Sequence, residues 1–99
     1  VDDASHVGRL TKASFELLFR EHLKPGGYYI LEDIAASTTL PDWPDYKPMA
    51  SEPDDGHRFP SYDNGMIGFL KQLVDQAATG KGDIASIEIQ PSIAVIRKR

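Results

Sequence analysis

Residues 28–31 form a short, continuous apolar segment, and this segment most limits the folds open to the chain. It follows Pro25 and two glycines, which end a helical pattern because proline cannot continue a helix. It stops at Glu32 and Asp33. An apolar run without alternation is typical of a strand that is covered on both faces, as in a parallel sheet. The segment therefore predicts an α/β fold.

Other segments give the order of the predicted elements. Residues 10–23 and 65–78 repeat apolar side chains at helical spacing and predict two amphipathic helices. Residues 84–89 and 93–97 predict two further strands. The three residues between these strands are too few for a crossover, so the pair is expected to be an antiparallel hairpin. The apolar faces expected on the two helices carry Leu10, Phe15, Leu18 and Leu23 in the first and Ile67, Leu70, Val74 and Ala77 in the second.

Two acidic pairs lie at predicted strand ends, Asp2-Asp3 and Glu32-Asp33. Residues 1–3 look like the end of a strand, and the helix that follows is a crossover. The strands on either side of it are therefore expected to be parallel and adjacent, about 4.8 Å apart. Their C-terminal ends then meet at the edge where open α/β sheets bind ligands.

Carboxylates that converge in this way repel one another unless a cation lies among them. A set of oxygen ligands suits Mg²⁺, with water or substrate oxygens completing the octahedron. Ordinary polar strand ends or helix caps would give the same residues. The sequence alone leaves these two interpretations equally open.

His6 lies three residues beyond Asp3, at the same predicted edge. A histidine there could take a proton from a substrate hydroxyl. The residues by themselves favour the plainer alternative, a surface histidine near a helix start.

Residues 35–64 contain most of the prolines, show no period, and predict a long irregular loop. Loops of this length are usually functional or disordered. The loop carries Trp43, Tyr46, Phe59 and Tyr62. These aromatic residues could form a lid or acceptor wall over the ligand edge, or they could anchor the loop to the domain. Both interpretations remain open.

Composition excludes several function classes. The net charge of −4 argues against a nucleic-acid or anionic-membrane surface. No apolar run reaches the roughly 20 residues of a membrane span. The absence of cysteine excludes disulfides and thiolate chemistry and favours a cytoplasmic protein. The chain begins at Val1 rather than Met, as expected for a piece of a longer protein.

Several of these motifs together are similar to one known family. They are Asp-Asp-Ala-Ser-His at residues 2–6, Leu-Lys-Pro-Gly-Gly at residues 23–27, Glu-Asp at residues 32–33, and Ser92-Ile93-x-x-Ile96-x-Lys98. Over nearly its whole length the chain resembles the C-terminal half of class I S-adenosylmethionine-dependent methyltransferases. Within that class, the metal-dependent sugar O-methyltransferases of macrolide biosynthesis are the most similar.

The resemblance implies a truncated Rossmann-like sheet. Its order is strand 4, helix D, strand 5, long loop, helix E, strand 6 and strand 7 of that fold, and strand 7 lies antiparallel between strands 5 and 6. It also implies an activity, the transfer of a methyl group from S-adenosylmethionine to a hydroxyl of a sugar or natural-product acceptor with Mg²⁺ or a similar cation. The implied site residues are the metal ligands Asp3, Glu32 and Asp33, the general base His6, the donor-side residues Asp2 and Asp3, and the acceptor-loop residues Trp43 and Tyr46.

The chain departs from the family pattern in three ways. Ala4 replaces the usual glycine, and the loop lacks the usual Thr-x-Tyr-Trp run. The half of the domain that binds the donor is absent from these 99 residues, so we expect the chain to be inactive alone. We also expect self-association through the exposed edge of the first strand. The alternatives are a non-catalytic α/β binding or oligomerisation module, and a relative named as a hydroxylase that shares the fold.

Overall fold

The computed structural model describes residues 1–49 and 61–99. Helix α1 (Gly8–Leu17) continues as a π-helical turn (Leu18–His22), and strand β1 (Tyr28–Glu32) follows. The remaining elements are α2 (Ala36–Thr39), α3 (Gly65–Thr79), β2 (Ile84–Gln90) and β3 (Ile93–Lys98). The two long helices and three strands begin and end close to the predicted positions. The short helix α2 lies inside the segment for which only an irregular loop was predicted.

The three strands form one antiparallel sheet in the order β1-β3-β2. Strand β3 lies in the middle, where Ile96 pairs with Tyr29 on one side and with Ile87 on the other. The predicted α/β class and the antiparallel hairpin are confirmed. The assignment of these strands to the numbered strands of the methyltransferase fold stays a prediction.

Residues 1–3 were expected to end a parallel strand beside β1. They form only a single parallel bridge, between Asp2 and Leu31. The Asp2 amide donates to the carbonyl oxygen of Ile30 over 2.7 Å, and the Glu32 amide donates to the carbonyl oxygen of Asp2 over 3.1 Å. The Tyr29 hydroxyl also donates to Oδ2 of Asp2 over 2.8 Å. These contacts hold the start of the chain beside the end of β1.

One hydrophobic core lies between the sheet and the helices α1 and α3. Phe15 stacks on Phe19, with ring centroids 4.4 Å apart, and meets Tyr29 and Phe69 edge to face. The buried residues of β1 and β3 alternate along the strands and face this core. The other face holds Tyr28, which is 60% exposed. The expectation that β1 is covered on both faces is therefore wrong for the described residues.

The predicted buried faces of the helices are partly wrong. Leu10, Leu18 and Val74 are exposed. Phe15 is buried as predicted, and Phe19 rather than Leu18 completes the inward face of α1 and its π-helical turn, because an aromatic ring removes more apolar area from water than leucine does. The buried residues are Gly8, Thr11, Phe15 and Phe19 in the first helix and Met66, Gly68, Phe69, Leu70 and Leu73 in α3.

Lys98 ties the end of β3 to the end of the first helix. Its Nζ donates to the carbonyl oxygens of Phe19, Arg20 and Leu23 over 2.7 to 2.9 Å. Carbonyl groups at a helix C-terminus lack intrahelical partners and carry partial negative charge. An ammonium group there donates hydrogen bonds to these oxygens and is attracted by their charge. This contact fixes the first helix against the sheet.

No helix within residues 1–49 or 61–99 combines the length and apolar character needed to cross a membrane.

The Asp2–Tyr29 contact predicts a pH dependence of stability. Burial, and then the hydrogen bond to Asp2 and its negative charge, raise the pKa of Tyr29. The folded chain therefore keeps the phenolic proton at pH values where the unfolded chain loses it. This contribution to the free energy of unfolding is fully present below about pH 10, and it is lost above that pH at up to about 1.4 kcal/mol per pH unit.

Urea unfolding between pH 9 and 11 (roughly the range around the ordinary tyrosine pKa) measures this effect. We predict that Tyr29→Phe loses stability less steeply with rising pH than the wild-type chain does. Tyr28→Phe is the matched control, since that neighbouring ring is exposed, and it should keep the wild-type slope. Equal slopes for all three proteins would contradict the prediction.

Candidate metal centre

Asp3, His6 and Asp33 come together beyond the C-terminal end of β1. One ligand atom from each of these residues lies within 4.8 Å of the other two. Nε2 of His6 is 2.8 Å from Oδ1 of Asp3 and 3.5 Å from Oδ2 of Asp33. The imidazole is 17% exposed, whereas the two carboxylates are 56% and 60% exposed. We refer to these three residues as the edge cluster.

The distances within the edge cluster suit a divalent cation. Octahedral Mg²⁺ holds its ligands at 2.0–2.1 Å, so neighbouring ligand atoms are about 3 Å apart. Nε2 of His6 lies near that spacing from both carboxylates, and one oxygen of Asp3 lies within 4.8 Å of one oxygen of Asp33. Without a cation the same contacts are hydrogen-bonding contacts of two exposed carboxylates, and even an exposed ion pair stabilises a fold by only about 0–1 kcal/mol. The cluster therefore contributes little to the stability of the fold.

Two other predicted site residues lie outside the edge cluster. Glu32 is the last residue of β1, and side chains alternate along a strand, so it leaves the sheet on the face opposite the buried Leu31. Asp2 is 8% exposed, and its carboxylate accepts hydrogen bonds from the Tyr29 hydroxyl and the Ala4 amide. Asp2 therefore holds the backbone in place, and Asp3 carries the accessible carboxylate.

Backbone strain is concentrated at this edge of the sheet. Within residues 1–49 and 61–99, three residues other than glycine have positive φ angles: His6 at 52°, Asp33 at 55° and Ser92 at 61°. The carbonyl oxygen of Ser92 accepts a hydrogen bond from the Ile34 amide over 3.2 Å, which joins the β2–β3 turn to the chain after Asp33. Such conformations cost about 1–3 kcal/mol each and are often found at functional sites. Two of the three belong to the edge cluster.

Trp43 and Asp45 hold the segment that carries His6, and we call them the loop clamp. Nε1 of Trp43 donates to the carbonyl oxygen of His6 over 2.7 Å, and the indole stacks on the imidazole with centroids 6.0 Å apart. Oδ2 of Asp45 accepts from the Gly8 amide over 2.9 Å, at the start of α1. A carboxylate is favourable there because the first amides of a helix carry partial positive charge. The loop clamp thus fixes both ends of the segment from His6 to Gly8.

Described residues at the C-terminal end of the loop are anchored in a similar way. Nδ2 of Asn64 donates to the carbonyl oxygen of Asp45 and to the Tyr62 hydroxyl, which also lies 3.1 Å from Oγ of Ser37. Tyr46, the second predicted acceptor-loop residue, is 37% exposed on the turn after Trp43. Phe59 lies outside the described residues.

The sequence gives little sign of the loop clamp. Asp45 caps a helix that begins 37 residues earlier, whereas a cap is normally sought immediately before the helix. The residue at that position is Val7, which cannot act as a side-chain cap. Because the helix was predicted to begin at residue 10, no sequence signal pointed to a distant acceptor for the Gly8 amide.

Two curated proteins are similar to this chain. One is the 8-demethyl-8-alpha-L-rhamnosyl tetracenomycin-C 2'-O-methyltransferase of Streptomyces olivaceus, which is 30% identical over an alignment of 112 positions that covers the whole chain. The other is the demethylmacrocin O-methyltransferase of Streptomyces fradiae, which is 34% identical over 76 residues, or 76% of the chain. The chain spans 26% of the first protein and 16% of the second.

No protein-family profile and no solved structure matches the chain. The two relatives confirm the resemblance to sugar O-methyltransferases that the motifs indicate.

Proposed function

We propose that this chain is the metal-binding and acceptor-side segment of an S-adenosylmethionine-dependent O-methyltransferase, which acts on a hydroxyl of a sugar or other natural product. The observation that carries the proposal is the edge cluster. It brings two carboxylates and an imidazole to one sheet edge, and the family resemblance implies a metal and a general base among these residues. The names of both relatives support a methyl transfer to oxygen.

In this proposal Asp3 and Asp33 hold a divalent cation such as Mg²⁺. When bound, the cation supplies charge that orients the acceptor hydroxyl and makes it more acidic. His6 would accept the hydroxyl proton once the Asp3 carboxylate, which lies 2.8 Å from its Nε2, binds the cation instead. The acceptor oxygen then attacks the donor's methyl carbon in line while the bond from that carbon to sulfur breaks, and S-adenosylhomocysteine leaves.

The loop clamp keeps the proposed base in position. Trp43 bonds the backbone of His6 and covers its ring, so the imidazole stays beside the two carboxylates. Glu32, the third metal ligand implied by the resemblance, has the least support because its side chain leaves β1 on the other face. Tyr46 is proposed as part of the acceptor wall, since its ring is exposed on the loop that carries Trp43.

Calorimetric titration with Mn²⁺, a close stand-in for Mg²⁺, tests the cation site. We expect Asp3→Ala and Asp33→Ala each to lower the affinity of the chain for Mn²⁺ by at least about tenfold, because changes that merely touch metal ligands already cost that much. Glu88→Ala removes an exposed acid from β2 and should leave the affinity unchanged.

Glu32→Ala decides the ligand set. A loss as large as that of Asp3→Ala would make Glu32 a direct ligand, whereas an unchanged affinity would remove it from the site. Wild-type affinity in both Asp3→Ala and Asp33→Ala would overturn the proposed cation site.

The donor is proposed to bind mainly outside these 99 residues, with Asp3 on the side that faces it. The sequence has no G-x-G-x-x-G between a strand and a helix to cradle a nucleotide-like ligand, and the Asp2 carboxylate is already bonded to Tyr29. Titration of the chain with S-adenosylmethionine should therefore show no micromolar affinity. Micromolar binding would contradict this part of the proposal. A cytoplasmic location, favoured by the absence of cysteine, stays a prediction.

A second candidate function is that of a non-catalytic oligomerisation module. It is favoured by the exposed leucines of the first helix, Leu10, Leu17 and Leu18. Residues 1–3 also form the outer edge of the described sheet, and open edges invite pairing. Sedimentation equilibrium should then give a dimer that Leu17→Lys dissociates, with Lys81→Ala as a surface control. A monomer at all concentrations would exclude this candidate and the self-association expected through that edge.

A further inference from the structure

Asp45 lies where the two long helices begin. Its Oδ2 accepts a hydrogen bond from the amide of Gly8, the first residue of α1, over 2.9 Å. Its carbonyl oxygen accepts from Nδ2 of Asn64, the residue before α3, over 2.6 Å. The two helix starts also touch, since a Cβ on Gly8 would lie 2.5 Å from the carbonyl carbon of Gly65. Asp45 therefore joins the loop to both helix starts at one point.

The bond from Asp45 to Gly8 restrains the segment that delivers His6. Gly8 is two residues from His6, so their Cα atoms are at most about 8 Å apart. Val7, between them, is buried in an extended conformation. His6 has a φ of 52°, a left-handed conformation that costs a residue other than glycine free energy. A change at Gly8 is therefore passed along a short, packed segment to the imidazole.

The bonded position of Asp45 carries a cost. Its Oδ1 is buried and has no hydrogen-bond partner among the described residues. A buried polar atom without a partner destabilises the state in which it is buried. This cost offsets part of what the bond to Gly8 contributes, and it leaves an equilibrium that a ligand can shift.

We infer that Asp45 is a positioning residue for the cation site. By accepting from the Gly8 amide, it keeps His6 in the conformation that places Nε2 2.8 Å from Asp3 and 3.5 Å from Asp33. Since the imidazole approaches both carboxylates, its position decides whether the three groups can meet around one ion. Asp45 itself lies outside the edge cluster and acts through the backbone.

The inference rests on the proposed function for the cation, and it adds a residue of the loop that touches neither the ion nor the acceptor. Coupling between two equilibria is reciprocal. Cation binding should therefore strengthen the contact between the loop and the segment from His6 to Gly8.

Calorimetric Mn²⁺ titration of matched variants tests this role. Asp45→Ala removes the acceptor of the Gly8 amide and should weaken Mn²⁺ binding by at least about fivefold, the lower end of the usual range for coupled sites. Asp45→Asn removes the charge but keeps a side-chain oxygen that can accept the same bond, so it should restore most of the affinity. Asp42→Ala is the control, since it removes an exposed carboxylate from the same loop, and it should bind Mn²⁺ like the wild-type chain.

Trp43 gives a second readout, and this one needs no cation. It is the single tryptophan of the sequence, and its Nε1 donates to the carbonyl oxygen of His6. Acrylamide should quench its fluorescence more strongly in Asp45→Ala than in Asp42→Ala or the wild-type chain, because the loop then leaves the segment that it covers. Saturating Mg²⁺ should reduce the quenching in the wild-type chain, as reciprocal coupling requires.

Circular dichroism checks that each variant is folded. If Asp45→Ala does not fold, Trp43→Phe takes its place in the Mn²⁺ titration, because it keeps a ring beside His6 and removes the Nε1 donor. The same loss of at least about fivefold is expected, and wild-type affinity would contradict the coupling between the loop and the cation site.

Three further results would overturn the inference. Wild-type Mn²⁺ affinity in a folded Asp45→Ala would leave the proposed cation site intact and remove Asp45 from its support. Equal losses in Asp45→Ala, Asp45→Asn and Asp42→Ala would mean that the loop acts through its charge alone. A wild-type chain that binds no Mn²⁺ would reject the proposed cation site and this inference together.

Discussion

Three hydrogen bonds hold Asp2 beside β1, and the position of the edge cluster depends on them. Two join the backbone of Asp2 to the backbone of β1, and the third joins its carboxylate to the Tyr29 hydroxyl. Tyr29 also packs against Phe15 in the core, so one side chain links the core to the start of the chain. Because Asp2 is fixed in this way, Asp3 and His6 emerge next to Asp33.

The edge of the sheet combines local strain with support from the loop. His6 and Asp33 adopt left-handed backbone conformations that cost free energy, and Trp43 bonds the backbone of His6. Exposed carboxylates beside a histidine add little to folding stability. The ligand-binding role proposed for the edge cluster would account for backbone conformations that cost free energy and that distant residues maintain.

Much of the fold could be predicted because it depends on local patterns. Helical spacing in residues 10–23 and 65–78 predicted the two long helices, and the short connection before β3 predicted the antiparallel hairpin. The helix faces were harder to predict, since Leu10 and Phe15 both fit a helical period and only packing shows that the phenylalanine is buried. Similarly, the strand ends predicted that Asp2 or Asp3 would face Glu32 or Asp33 with His6 at the same edge, but which acid of each pair lies there depends on where β1 ends. The cap that Asp45 provides across 37 residues depends on the path of the loop, which no local pattern encodes.

We propose that the edge cluster binds the cation of a methyl-transfer site. Paramagnetic broadening of ¹H–¹⁵N NMR signals by substoichiometric Mn²⁺ tests it most directly, because the effect falls off steeply with distance from the ion. The account predicts that the amides of Asp3, His6 and Asp33 broaden first, while those of Glu88 and Asp75 stay sharp. Broadening centred on Glu88 or Asp75, or spread evenly over the acidic surface, would contradict it.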